Sequence, residues 1–281
     1  MQAHDIEGAS ARCATQKAPR GNGLFTAAPS HAILALQRAV GNKCVQRLIG
    51  AQGNDARRAA EHLAPYVQRF EYTLGVTKIG DEKTPPSYKA VTRGLSRLSK
   101  DKQRALSEAI NMAREKVRSA HSWASGGHEK EALTGQYPKP FYDHFHLHQT
   151  DDEDKAQPML VQKIGQVLGA TGEGLAKTQE IVDVNPKEAK PNKEGAITAG
   201  YVRFRGGEAV GRIHLNFSKL AEPINNLART LVHEATHRYA NTDDVEGKSY
   251  PWQPGYKKLT FVEAQKSAET YAAFTFDEES R

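Results

Sequence analysis

The chain has 281 residues, with 39 Lys and Arg against 33 Asp and Glu for a net charge of +6, enough for one sizeable domain with extensions. Its basic residues are dispersed, so nucleic acid is not an expected partner, and no apolar run approaches the roughly 18 residues that a membrane span needs. Cys13 and Cys44 are the sole cysteines and the first thirty residues lack an apolar signal region, which argues against a disulfide-stapled secreted fold. The expectation is a chain made in a reducing cytoplasm.

Residues 1–30 are small, polar and rich in Gly, Ala and Pro, and read as a disordered arm. In 31–50, apolar residues at 33, 34, 36, 40, 45, 48 and 49 make two short amphipathic turns broken at Gly41-Asn42. The segment 51–95 reads as a helix from Asp55 to Tyr72, interrupted at Pro65, followed by a linker from Gly75 to Pro86. The main domain spans 96–281. It opens with a helix running from Ser99 to about Trp123, on which Leu106, Ala109, Ile110, Ala113, Val117 and Ala120 keep helical spacing. His144, His146 and His148 alternate ahead of Asp151, Asp152, Glu153 and Asp154; on a strand they could bind a metal, and a solvated loop is the plainer reading. A second helix is expected from Pro158 to Leu168, ended by Gly169. Gly206-Gly207 marks a hairpin turn, after which Ile213, Leu215 and Phe217 alternate with His214 and Asn216 as a strand with one buried face.

The most specific chemistry lies at His233-Glu-Ala-Thr-His237. Histidines four apart stand one turn above each other on a helix and can reach one tetrahedral zinc at about 2.0–2.1 Å. Glu234 is rotated about 100° from His233, beside such a metal, where it could take a proton from a metal-activated water. Pro223 suits the helix start, and Ile224, Leu227, Ala228, Leu231 and Ala235 form an apolar stripe. The two histidines fall nearly opposite that stripe, which would present them to a cleft. Asp243, Asp244, Glu263 and Glu269 all compete for the third ligand position. Asn241 suits a left-handed helix exit just before the two aspartates. Thr260 and Glu263 form a capping box for a last helix, with Phe261, Ala264, Ala268, Tyr271 and Ala272 on one face.

Three separated stretches together resemble the aspzincin metallopeptidases, the deuterolysin and lysine-specific metalloendopeptidase family. They are Ile197 to Phe217, Thr230 to His237 with its Asn-Thr-Asp-Asp exit, and Ser267-Ala-Glu-Thr-Tyr-Ala-Ala-Phe274. The resemblance implies an α+β zincin-like domain: an active-site helix, a small antiparallel sheet whose hairpin ends in the edge strand above the cleft, and further helices. It implies one catalytic Zn2+ held by His233, His237 and Asp244, with Glu234 as general base. Gly247 stands where the family has an oxyanion-stabilising tyrosine, which leaves Tyr250 or Tyr256 to serve. Glu269 matches the first of two acidic residues that hold a substrate lysine, while Ala272 replaces the second, so strict lysine specificity is not expected. His214 and Asn216, on the strand beside the cleft, are further candidates for substrate binding.

These features predict a zinc-dependent metalloendopeptidase acting on proteins or peptides, held partly by strand addition to the sheet edge. The 31–50 segment resembles a short Leu-Gln-Arg-x-x-Gly-Asn motif of proteins associated with extracellular contractile injection systems. That likeness implies an effector or toxin exported from a bacterium and docked to particle proteins through 31–50; a helical hairpin packed on the enzyme is the plainer reading. Two alternatives share the scaffold: a non-catalytic adaptor of the delivery particle, and a toxin acting on a non-peptide amide.

Overall fold

A computed structural model of the protein describes residues 69–93, 97–126, 137–146, 153–184, 198–245, 248, 250 and 253–277. The 1–30 arm, the 31–50 segment, His148, Asp151, Asp152 and Gly247 lie outside the described residues. The chain divides into two compact units, Met1–Glu71 with Thr92–Arg97, and Tyr72–Val91 with Leu98–Arg281. Within the first, the Arg97 guanidinium carbon sits 5.3 Å from the Phe70 ring centroid.

The architecture is mixed α+β. Strands β1 (Arg69–Leu74) and β2 (Tyr88–Arg93) precede helices α1 (Lys100–Ser125), α2 (Lys139–Phe145) and α3 (Glu153–Leu175). Strands β3 (Gln179–Asp183), β4 (Gly200–Arg205) and β5 (Glu208–Leu215) follow, then α4 (Ile224–Ala240), α5 (Phe261–Lys266) and α6 (Ala268–Phe276). The sheet order is β1-β2-β3-β5-β4, with β2/β3 and β3/β5 parallel and β4/β5 antiparallel. The sheet is therefore mixed, not purely antiparallel. The β4–β5 turn falls at Gly206-Gly207 as expected, both with positive φ (61° and 84°), a conformation that only glycine adopts without cost.

Ile213 and Leu215 of β5, Ile181 of β3, Leu106, Ile110 and Val117 of α1, and Leu227 and Leu231 of α4 share one apolar core. A second core joins Phe141 and Phe145 of α2, Ile164 and Leu168 of α3, and Tyr271 and Phe274 of α6. The Trp123 and Phe141 rings stack at 5.0 Å beside it.

Several elements differ from the sequence expectations, each for a reason of packing. Helix α3 continues through Gly169, because the glycines serve close approach and not termination. A methyl at Gly169 would lie 3.0 Å from His121 Nε2, and one at Gly174 would lie 2.2 Å from the Tyr239 ring. His144 lies on α2, where it pairs with Asp277 at 2.8 Å, and His146 is that helix's left-handed cap, so neither stands on a strand. The expected last helix is two helices broken at Ser267. There Asp243 intervenes as a parallel bridge: its N–H donates to Lys266 O (2.7 Å) and its carbonyl accepts from Ala268 N (3.1 Å). The strand expected at the sheet edge, β5, is interior, paired to β3 on one side and β4 on the other. Among the described strands, the edge near the hairpin is β4.

Candidate metal centre

Pro223 at the start of α4 and the helix's apolar stripe seat the motif helix. Leu227, Ala228, Leu231, Val232 and Ala235 are buried, and so are His233, Glu234, Thr236 and His237. The histidines therefore do not lie on an open face, as helical periodicity alone suggests; chain from other elements closes over them. The closure begins at Asn241, a left-handed cap (φ 53°) whose N–H bonds to the carbonyls of Thr236 and His237. The chain doubles back, and the Thr242 carbonyl comes 2.8 Å from His237 Nδ1 while its hydroxyl donates to Thr236 Oγ1 at 3.0 Å.

These contacts set the tautomers. A carbonyl only accepts, so His237 Nδ1 carries the proton and Nε2 presents its lone pair. His233 Nδ1 faces Glu269 Oε2 at 3.1 Å, which orients that ring the same way. The two Nε2 atoms stand 3.1 Å apart, and Asp244 Oδ1 lies 3.3 Å from the first and 3.6 Å from the second. Three electron-rich atoms thus face one another, an arrangement that requires a proton or a cation among them. Ligands at about 2.0–2.2 Å in a tetrahedral site stand roughly 3.3–3.5 Å apart, so the spacing fits a metal such as zinc. Among the described residues, His233, His237 and Asp244 are the group of His, Cys and acidic side chains that could hold a metal ion. Asp244 is 40% exposed in its side chain, so the centre opens on its side. Asp243 is turned away into the Ser267 bridge, and its Oδ1 accepts from Asp244 N (2.8 Å). Glu263 is occupied with its capping box and Lys248.

Without a metal, charge and burial oppose each other here. Burial works to lower the His233 imidazole, but hydrogen bonds to Asp244 and Glu269 and the charge of Glu234 push it up to about 10. Burial works to raise Asp244, and hydrogen bonds to both histidines hold it well below the usual carboxylate range. Burial raises Glu234, partly offset by the neighbouring histidines. Glu234 Oε2 is buried with no hydrogen-bond partner among the described residues, and its Cγ lies where a methyl at Gly200 would approach within 2.9 Å. The edge strand β4 thus starts directly against Glu234. A few residues on, the Phe204 ring meets His237 edge-on at 5.7 Å and is 45% exposed.

Tyr250 stacks on His233 at 5.8 Å and 12°, and burial with the charges of Asp244, Glu234 and Glu269 pushes its hydroxyl up. Tyr256 is pushed up to about 12 by burial and by Glu269. The other residues expected to bind substrate are buried and have partners within the fold. Glu269 is buried, with its carboxylate shared between His233 and Arg229. His214 is buried and stacks on its cross-strand partner Tyr201 (4.3 Å, 8°). Asn216 is 2% exposed; its amide donates to Thr198 O and its Oδ1 accepts from Ser218 N, capping the 3-10 turn Phe217–Lys219. Sequence reasoning did not find Arg229, Gly200 and Phe204. Arg229 alone carried a local signal, standing one turn before His233 on the same helix face.

No protein-family model matches the chain, and no curated protein does. Among solved structures, a zinc peptidase from Grifola frondosa is similar, with a TM-score of 0.46 and 18% identity over 63% of this chain and 95% of that one. No described helix is long and apolar enough to cross a membrane.

Proposed function

We propose that the protein is a zinc-dependent metalloendopeptidase of the aspzincin kind. The observation that carries this reading is the convergence of His233 Nε2, His237 Nε2 and Asp244 Oδ1 beside buried Glu234, whose Oε2 has no hydrogen-bond partner among the described residues. His233, His237 and Asp244 would hold the metal. When bound, zinc supplies Lewis acidity, polarising a carbonyl and bringing the acidity of a water towards neutral pH.

Glu234 takes the proton of the attacking water and returns it to the leaving amine, for which a carboxyl raised by burial is suited. Tyr250, kept protonated by its surroundings, donates a hydrogen bond to the developing oxyanion. An extended peptide adds to the side of β4 that pairs with no other described strand, which brings its backbone past Gly200 and Phe204 towards Glu234. The likeness of 31–50 to injection-system-associated proteins supports a delivered effector, with 31–50 as its docking segment on particle proteins.

The test pairs metal content with cleavage of a mixed peptide library, for wild type and Glu234→Gln. One zinc per chain in both proteins, with cleavage by wild type alone and a loss of about 10²–10⁴-fold in the variant, is expected. Zinc without cleavage by either protein favours the non-catalytic adaptor, a reading that Gly247 in place of the family's tyrosine also supports. Absence of zinc from the wild type refutes both.

A further inference from the structure

Among the described residues, Glu269 is an acidic side chain at the centre that the peptidase chemistry above leaves without a task. Both of its oxygens are committed: Oε2 to His233 Nδ1 at 3.1 Å, and Oε1 to the Arg229 guanidinium. Its side chain is 7% exposed, whereas that of Arg229 is 35% exposed. A buried carboxylate already paired with a guanidinium and an imidazole is a poor acceptor for the ammonium of a substrate lysine.

Its position has a second consequence. Ser267 caps α6 through its side chain, and the same residue forms the bridge to Asp243, next to Asp244. The first turn of α6 therefore touches the centre twice, holding His233 through Glu269 and the Asp244 loop through Ser267. His237 has its outer nitrogen held by a carbonyl, and His233 has a carboxylate in the corresponding place.

We infer that Glu269, anchored by Arg229, is a positioning residue for His233 that aims its Nε2 at the metal, and not an acceptor for a basic substrate side chain. The inference rests on the metallopeptidase reading. Ligand histidines whose outer nitrogen meets a carboxylate gain both a defined orientation and basicity, and loss of such a partner costs about 10–100-fold in metal affinity.

The test is zinc affinity of the full chain at fixed pH, by competition with a chromophoric chelator, for wild type, Glu269→Gln and Arg229→Gln. The visible spectrum of the cobalt-substituted proteins and the cleavage preference are recorded alongside. Glu269→Gln is expected to bind zinc about 10–100-fold more weakly, with a shifted cobalt spectrum and an unchanged preference at the cleaved bond. Arg229→Gln keeps the carboxylate but releases its anchor, and should weaken zinc by a smaller factor in the same direction. Should Glu269→Gln fail to fold, Arg229→Gln decides by itself. Wild-type zinc affinity in both variants, or a cleavage preference that changes while affinity does not, overturns the inference and leaves the peptidase reading standing. A wild type that binds no zinc overturns the peptidase reading first.

Discussion

Gly200→Ala tests whether the edge strand truly abuts Glu234, the proposed general base. The backbone at Gly200 is not in the positive-φ region, so alanine there incurs no conformational strain. In an unobstructed strand the change stabilises by roughly 0.5–1 kcal/mol. Here the new methyl would meet Glu234 Cγ at 2.9 Å, Glu234 Oε1 at 3.1 Å and the His214 carbonyl at 2.9 Å. Carbon atoms rest at about 3.5 Å or more, so the Glu234 side chain is crowded by about 0.6 Å. The His214 carbonyl cannot easily yield, because Gly200 pairs with Leu215 in the ladder and Asn216 N donates to Ala199 O at 2.8 Å. Glu234 must move, and it is buried on every side. Overpacking of this kind costs about 1–3 kcal/mol, the opposite sign to the ordinary substitution. A displaced base also costs rate: roughly 10²-fold follows a misplacement of 1 Å, and a tens-fold loss of kcat is expected here. Urea denaturation, zinc content and peptide cleavage would be measured on the same preparation, with zinc content unchanged. A variant more stable than wild type, and cleaving within twofold of it, refutes the packing of β4 against Glu234.

Two further outcomes follow from the same site. In metal-free protein His233 is raised from its unfolded value of about 6.5 to about 10. Its contribution to stability is therefore complete below about pH 6.5 and is lost as pH rises through about 10. Thermal melts in a chelator should accordingly decline between pH 7 and 10, and His233→Gln should flatten the decline; a melting temperature that rises over this range contradicts the assignment. Asn241→Ala keeps φ 53° but loses the short polar side chain that makes the left-handed region tolerable for Asn, and it removes the acceptor for Ala209 N (3.3 Å), so it should cost roughly 1–2 kcal/mol, while Asn241→Gly, which tolerates the turn, costs less. Chemical denaturation of the two variants distinguishes them, and equal stabilities would remove the left-handed exit from the account.

What could be read in advance was local in sequence. The α4 stripe and the coincidence of His233 with His237 follow from a 3.6-residue period, and the cap at Asn241 follows from the few residue types that tolerate a left-handed turn. The Thr260–Glu263 capping box is likewise a four-residue device, and it is present as read. The opposite case is Glu269: its spacing on the last helix suggests a cleft rim, yet its partners lie 36 and 40 residues away.

The sequence by itself determined the motif helix, its exit and the types of donor available, because these depend on neighbours within one or two turns. Only the tertiary structure turned Asp244, and not Asp243 or the glutamates, towards both histidines, and placed Glu269 against His233. It also decided that β4 and not β5 is the edge, that α3 runs through Gly169, and that Ser267 divides the last helix. The deciding contacts are side-chain and backbone hydrogen bonds and van der Waals approaches between different elements of the fold. Such contacts form only when the whole core is assembled, and a residue pattern read along the chain does not contain them.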